Sequence, residues 1–463
     1  MRRLLAIVVL VPAACAAPSG DADAPGTSGD DTTGASSEAA SGSESESSDG
    51  GSSGGPVADV TFHRDIRPLV ERHCSACHTP GNIAPFPLTS YDEVFAMRET
   101  IAVVVDAGTM PPWGMTSDCA EIVGDPSLSA DDRERLQAWV DAGGPEGDPN
   151  EYVAPDPIVL PELTRTDLEL ALDAPYEPQL SPDEYRCFLF DWPHDETKFV
   201  TGFQFEPGNA AIAHHAIAYI IAPEDVPSYD ERDAQDAGPG YGCFGGPGGS
   251  EPLDFIASRW LGAWAPGSRV GDLPAGTGLR IDPGSKIVLQ MHYNTLASDG
   301  NPDQSRMFYR LADAVEREAF MLPWANPSWL AGDMPIPAGS ADTVHAFALD
   351  PTSVIDVLTN GLIPGNTPLE FFTAMHHMHK RGSRGAHAIL RADGERECLL
   401  DVPAYDFDWQ QQYRYVQSKI LRPGDQLRVE CQWDNTDNAA PLNWGDGTED
   451  EMCLGVYYIT PAP

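Results

Sequence analysis

Basic residues are scarce in this 463-residue chain: 28 Lys and Arg stand against 71 Asp and Glu, a formal charge of −43. Such a surface repels phosphate backbones and anionic lipids, which argues against nucleic acid as a partner. A solvated acidic face accounts for the charge without any particular partner. Long apolar runs are scarce too. The run Leu4–Val11 is too short to span a membrane as a permanent helix, and no later stretch is long and apolar enough. Membrane contact is expected only through a lipid anchor. Residues 18–56 lack almost anything large and apolar; Gly20 to Gly55 hold eight acids and no Lys or Arg. They cannot bury a core and read as a flexible tether.

What is present begins with Met1-Arg2-Arg3, the short apolar run and Pro12-Ala13-Ala14-Cys15. Two positive charges, an apolar core and small residues make a signal peptide over residues 1–17. Small residues before Cys15 resemble a bacterial lipoprotein cleavage site, but Pro12 stands where that pattern usually has Leu. Lipidation of Cys15 and simple secretion both stay open. The expected location is the bacterial periplasm or the cell surface. Of nine cysteines, setting aside Cys15, Cys74 and Cys77 leaves six: Cys119, Cys187, Cys243, Cys398, Cys431 and Cys453. An even number in an oxidising compartment is compatible with three disulfides, whose connectivity spacing alone does not give.

Residues 57–148 read as helical. Pro68 opens a short helix leading to the motif Cys74-Ser-Ala-Cys77-His78. Ser90 with Glu93 predicts a capping box, and Gly108 a stop. Ser129 with Asp132 predicts a third helix, closed by Gly143-Gly144-Pro145. In a CxxCH motif the cysteines bond covalently to a haem and the histidine ligates its iron, so Cys74, Cys77 and His78 are the expected haem c residues. The opposite haem face needs a thioether. Met97, Met110 and Met115 are candidates; Met110 is preferred because Pro111-Pro112 fix an extended backbone behind it. Met97 lies at an apolar helical spacing and reads as core. The segment resembles a small class-I-type c-type cytochrome domain, in which a Met-Pro pair follows the CxxCH.

After a Pro/Asp-rich joint at about 145–160, β-rich runs such as KFVTGFQFEPG, KIVLQMHYN and CLGVYYI alternate with Pro, Gly and Asp. Regular turn signals without a long amphipathic helix predict antiparallel sandwiches. The expected fold is therefore multidomain: a small all-α cytochrome c-like domain, then two all-β antiparallel sandwich (jelly-roll-like) lobes over 160–310 and 311–463.

Six of the twelve histidines fall in three clusters: His214-His215, His292, and His376-His377 with His379. Met452 lies beyond them in TEDEMC. Neutral imidazoles with one thioether suit a redox-active copper, because sulfur holds Cu(I) and nitrogen accepts either oxidation state. Side chains alternate along a strand, so His377 and His379 share a face while His376 points away. His214 and His215 would diverge on a regular strand, so joint ligation there needs a bend or a bulge.

His214-His215, LQMHYN with His292, HMHKRG with His377 and His379, and DEMC with Met452 occur in one order. In that order the chain resembles the copper type II, ascorbate-dependent monooxygenases over about residues 165–460. The resemblance implies two copper ions: one on His214, His215 and His292, the other on His377, His379 and Met452, where dioxygen reacts. It also implies a Cys431–Cys453 disulfide, two sandwich lobes facing a cleft, and hydroxylation of a C–H bond of a small organic substrate. Electrons would come from an ascorbate-like donor or a redox protein, relayed by the fused haem. Peptide-amidating members carry an Arg two residues before the HxH pair and a Tyr four residues after the Met; here these positions are Met375 and Val456. Peptide amidation is disfavoured and the substrate stays open. The alternatives are a haem/copper electron-transfer protein that never activates oxygen, or a copper-binding surface protein.

Overall fold

The computed structural model describes residues 60–80, 84–116, 118–248, 258–266, 268, 270–296 and 298–463. The leader, Cys15 and the tether lie outside the described residues.

A turn of π-helix at Phe62–Ile66 runs into α1 (Arg67–His73), which has Pro68 in its first turn. In α2 (Tyr91–Asp106) the Ser90 side chain accepts from the backbone of Glu93, and the Glu93 carboxylate takes the backbone N–H of Ser90. In α3 (Ala130–Asp141) Ser129 caps the N-terminus through the backbone of Asp132. Such caps are each worth about 1 kcal/mol. These helices bury a core of their own, with Ile66, Val94, Leu136 and Trp139 nearly inaccessible.

The remainder is mostly β, consistent with sandwich lobes. A nine-stranded sheet runs Gln412–Leu421, Leu369–His377, Leu454–Pro461, Phe320–Trp324, Arg259–Trp264, Ala213–Ile221, Lys286–Asn294, Asp183–Asp191 and Tyr241–Gly242. Its two halves meet between Phe320–Trp324 and Arg259–Trp264 through the single pair Met321↔Trp260. A six-stranded sheet centred on Lys198–Glu206 and a four-stranded sheet centred on Gln426–Trp433 and Gly382–Leu390 accompany it. One apolar core threads the β structure.

That core also takes in Trp113, Met115 and Ile122, which lie between α2 and α3. The segment is fastened to the strand Gln412–Leu421 by an Ile122↔Tyr415 bridge and by Val123 N–H to the Arg414 carbonyl at 2.8 Å. Three disulfides join Cys119–Cys398, Cys187–Cys243 and Cys431–Cys453. The last is the pair the family resemblance implied. The first staples the helical segment to the C-terminal β structure across 279 residues of sequence. Three disulfides fit an exported protein. Among the described residues no helix is long and apolar enough to cross a membrane.

Candidate metal centre

His214 and His215 sit near the start of the strand Ala213–Ile221, beside His292 near the end of Lys286–Asn294. The pairing register shifts between Ala213 and His215, which leaves His214 as the extra residue of a bulge. The shift breaks the alternation that would send the two rings to opposite faces. Nδ1 of His214 lies 3.3 Å from Nδ1 of His215, which lies 3.4 Å from Nδ1 of His292. One nitrogen from each ring falls within 4.8 Å of the others.

Hydrogen bonds decide which nitrogens are free. His292 donates its Nε2 proton to Asp183 Oδ1 at 2.9 Å, so Nδ1 carries the lone pair. Asp183 also takes Thr448 Oγ1 and Asn294 Nδ2. Burial alone would raise its carboxyl; these partners, with His292 foremost, bring it down to about 2. It is an anionic acceptor at neutral pH.

The second set has the opposite tautomer. His377 donates from Nδ1 to Gln410 Oε1 at 2.6 Å, and His379 from Nδ1 to the Asp450 carbonyl at 3.2 Å. Gln410 Nε2 donates to the Phe407 carbonyl, which fixes the amide orientation. Each Nε2 therefore keeps a lone pair. His377, His379 and Met452 line one small cavity of about 40 Å³, with Ile217, Trp264 and Leu454 among its walls. That volume holds a few water-sized molecules at roughly 10–15 Å³ each. Glu451 braces the loop: it accepts from the backbone N–H of His379 and Arg381 and from Trp433 Nε1.

Burial keeps four of these rings neutral. It depresses His214 to about 3 and His377 to about 4, and holds His215 and His379 well below the ordinary imidazole value. Neutral imidazoles are ready ligands that release no proton on binding a metal. Three nitrogens in one set, and two nitrogens with a thioether in the other, suit copper. The sets touch: the rings of His215 and His377 are 5.9 Å apart, and Phe407 stacks on His214 at 4.5 Å.

His376 turns away from the cavity, as strand alternation predicts. Its Nδ1 meets Nε2 of the buried His387 at 2.8 Å. A Cβ on Gly385 would lie 2.1 Å from the His376 ring, so only glycine fits there. Met375 and Val456 both line the cavity beside Met452, and no Lys or Arg is among its described walls.

In the helical segment Cys74 and Cys77 form no disulfide. Burial, then the neighbouring Cys77, pushes the Cys74 thiol up to about 12. His78 Nδ1 donates to the Phe86 carbonyl at 3.0 Å, leaving Nε2 as a lone pair. Two unpaired thiols and an imidazole with a free Nε2 are what a covalent haem requires. Met110 is 41% exposed, Met115 is buried in the β core, and Met97 packs on the helical core.

Asp183, Gln410, Phe407 and Glu451 are the residues that sequence reasoning missed. Asp183, Gln410 and Phe407 act on ligands far away in the chain, and no local spacing marks them; Glu451 acts on His379 from inside the DEMC motif, beside Met452.

Residues 345–462 match the family model of the copper type II ascorbate-dependent monooxygenase, C-terminal domain. The curated relatives agree. Human DBH-like monooxygenase protein 1 is 29% identical over 296 residues, 59% of this chain and 44% of that protein. Human putative DBH-like monooxygenase protein 2 is 23% identical over 322 residues, 63% of this chain and 58% of that protein. The chain thus spans about half the length of these two relatives. These matches support the copper type II monooxygenase family. Among solved structures, the glycosylasparaginase PNGase F of Flavobacterium meningosepticum is similar over 64% of this chain and 96% of that one. Its 13% identity and TM-score of 0.26 carry no argument. The haem rests on the CSACH residues alone.

Proposed function

We propose that the protein is a copper-dependent monooxygenase that hydroxylates a C–H bond of a small organic molecule with dioxygen. Electrons would come from an ascorbate-like donor or a redox protein, relayed by a haem c on Cys74, Cys77 and His78 with Met110 opposite. The observation that carries the reading is the pair of opposite imidazole tautomers. Asp183 leaves the Nδ1 lone pair of His292 facing His214 and His215, while His377 and His379, each with an Nε2 lone pair, line one cavity with Met452 and His215. Copper on these residues would cycle between Cu(II) and Cu(I), a redox chemistry no side chain here supplies.

The chain's own part is positioning. Asp183 and Gln410 hold the tautomers of His292 and His377, Glu451 fixes the loop, and burial keeps His214, His215, His377 and His379 unprotonated. An apolar wall at Met375 and Val456, with no cation among the described walls, offers nothing to grip a peptide carboxylate. We place the protein in the periplasm or at the cell surface, with Cys15 as the residue a lipid would use.

A haem/copper electron-transfer or copper-binding surface protein is the second reading. The cavity of about 40 Å³ favours it, because no organic substrate enters that volume without an opening. A substrate screen on the copper-loaded chain separates them. Oxygen uptake coupled to a product one oxygen atom heavier supports the enzyme; two bound coppers without any coupled uptake favour the carrier.

A further inference from the structure

The small cavity lined by His377, His379 and Met452 has one acidic residue among its described walls, Asp446. The other polar walls that are not histidines have their groups committed. Tyr185 donates its hydroxyl to the Asp446 backbone carbonyl at 2.6 Å, and Gln290 donates to the Cys243 carbonyl at 3.0 Å. Gln410 is held between His377 and the Phe407 carbonyl. The Asp446 carboxyl has neither a hydrogen bond nor an ion pair among the described residues. It also stands outside the cluster of His214, His215 and His292.

Asp446 is half-buried, so it lines the cavity and still reaches solvent. Burial, then the neighbouring Asp450, raises its carboxyl to about 6. The charged groups around it do not offset this. Asp450 is an acid that accepts from the Gly447 N–H, Asp183 is tied to His292, and Lys380 pairs with Glu449. Glu451, which burial also raises, is committed to three donors and is not among the described walls.

We propose that Asp446 delivers the protons that oxygen takes up in this cavity. The proposal rests on the monooxygenase reading. Hydroxylation follows R–H + O2 + 2 e− + 2 H+ → R–OH + H2O. The C–H and O–O bonds break, while one C–O and three O–H bonds form. Dioxygen is the oxidant, and the electrons come from the ascorbate-like donor or redox protein. Asp446 gives one proton, is reprotonated from water and gives the next, which is the work of a positioned general acid. The apolar walls Ile217, Trp264, Leu454 and Val456 offer no competing acid.

The test compares the full copper-loaded chain with Asp446→Asn and Asp446→Glu for copper content, oxygen uptake and product mass. In Asp446→Asn the two coppers should remain while product formation falls by about 100-fold or more, the usual share of a positioned acid. Asp446→Glu keeps an acid there and should retain most of the parent's rate. A second readout needs neither copper nor turnover. Infrared spectra of the copper-free chain at about pH 5 and pH 7 should differ by a protonated-carboxyl band that Asp446→Asn lacks; the Glu451 band is common to both proteins. Unchanged product formation in Asp446→Asn, a lost copper, an equal loss in both variants or no such band would overturn the proposal and leave the monooxygenase reading intact. A two-copper parent that forms no product overturns that reading, and the proposal with it.

Discussion

Asp183 Oδ1 accepts the Nε2 proton of His292 at 2.9 Å, and that bond decides which nitrogen of the ring faces His214 and His215. Removing such an outer partner typically costs a metal site about 10- to 100-fold in affinity. Asp183→Asn should weaken copper binding at the three-histidine set by that factor and spare the set containing Met452. Chelator competition on each site measures it; equal affinities in both proteins would remove Asp183 from this role.

Glu451 satisfies three buried donors at once, and burial raises its carboxyl to about 7. Each donor left unpaired costs about 1–3 kcal/mol. Glu451→Ala should therefore destabilise the protein by at least about 3 kcal/mol, seen as a lowered denaturation midpoint. A midpoint within error of the parent contradicts the bracing role.

The outcome at each residue shows how far the sequence could be read. The helix caps at Ser90 and Ser129 are local events, decided by a hydroxyl three residues from its N–H, and they were legible. Strand alternation likewise placed His376 opposite to His377. The need for a bulge at His214 was legible; its position came only with the partner strand. Cys119 pairs with Cys398 across 279 residues, and Gln410 reaches His377 from another strand connection. Such contacts depend on how the sheets pack, which no local spacing encodes. For the same reason Trp113 and Met115 read as part of a helical domain, although they pack in the β core.

His387 gives a pH signature. It is wholly buried and its Nδ1 has no partner; burial lowers it from 6.5 to about 3. Between those values the unfolded chain binds a proton that the folded chain does not, so stability falls as pH drops from about 6.5 toward 3. The slope is about 1.4 kcal/mol per pH unit from this one group. The stability advantage of the parent over His387→Gln should shrink at about that rate between pH 6 and 4 in denaturant titrations. A pH-independent gap would mean that His387 is not held neutral.

The Cys119–Cys398 staple closes a long loop, and removing a native disulfide typically costs about 2–5 kcal/mol. Cys119→Ser combined with Cys398→Ser should loosen the docking segment before the lobes themselves. Hydrogen exchange should rise first at Trp113 to Ile122; exchange rising evenly through the β core would show that the staple supports the whole fold instead.

Two unlike copper sites are the core of the account, and counting metal tests them most directly. The full chain, loaded with copper and freed of excess, should carry two coppers. His214→Ala with His215→Ala should leave one, and so should His377→Ala with His379→Ala. Met452→Ile should keep the fold while X-ray absorption of the reduced protein loses its sulfur scatterer. A parent holding at most one copper, or a sulfur signal that survives Met452→Ile, would contradict the account.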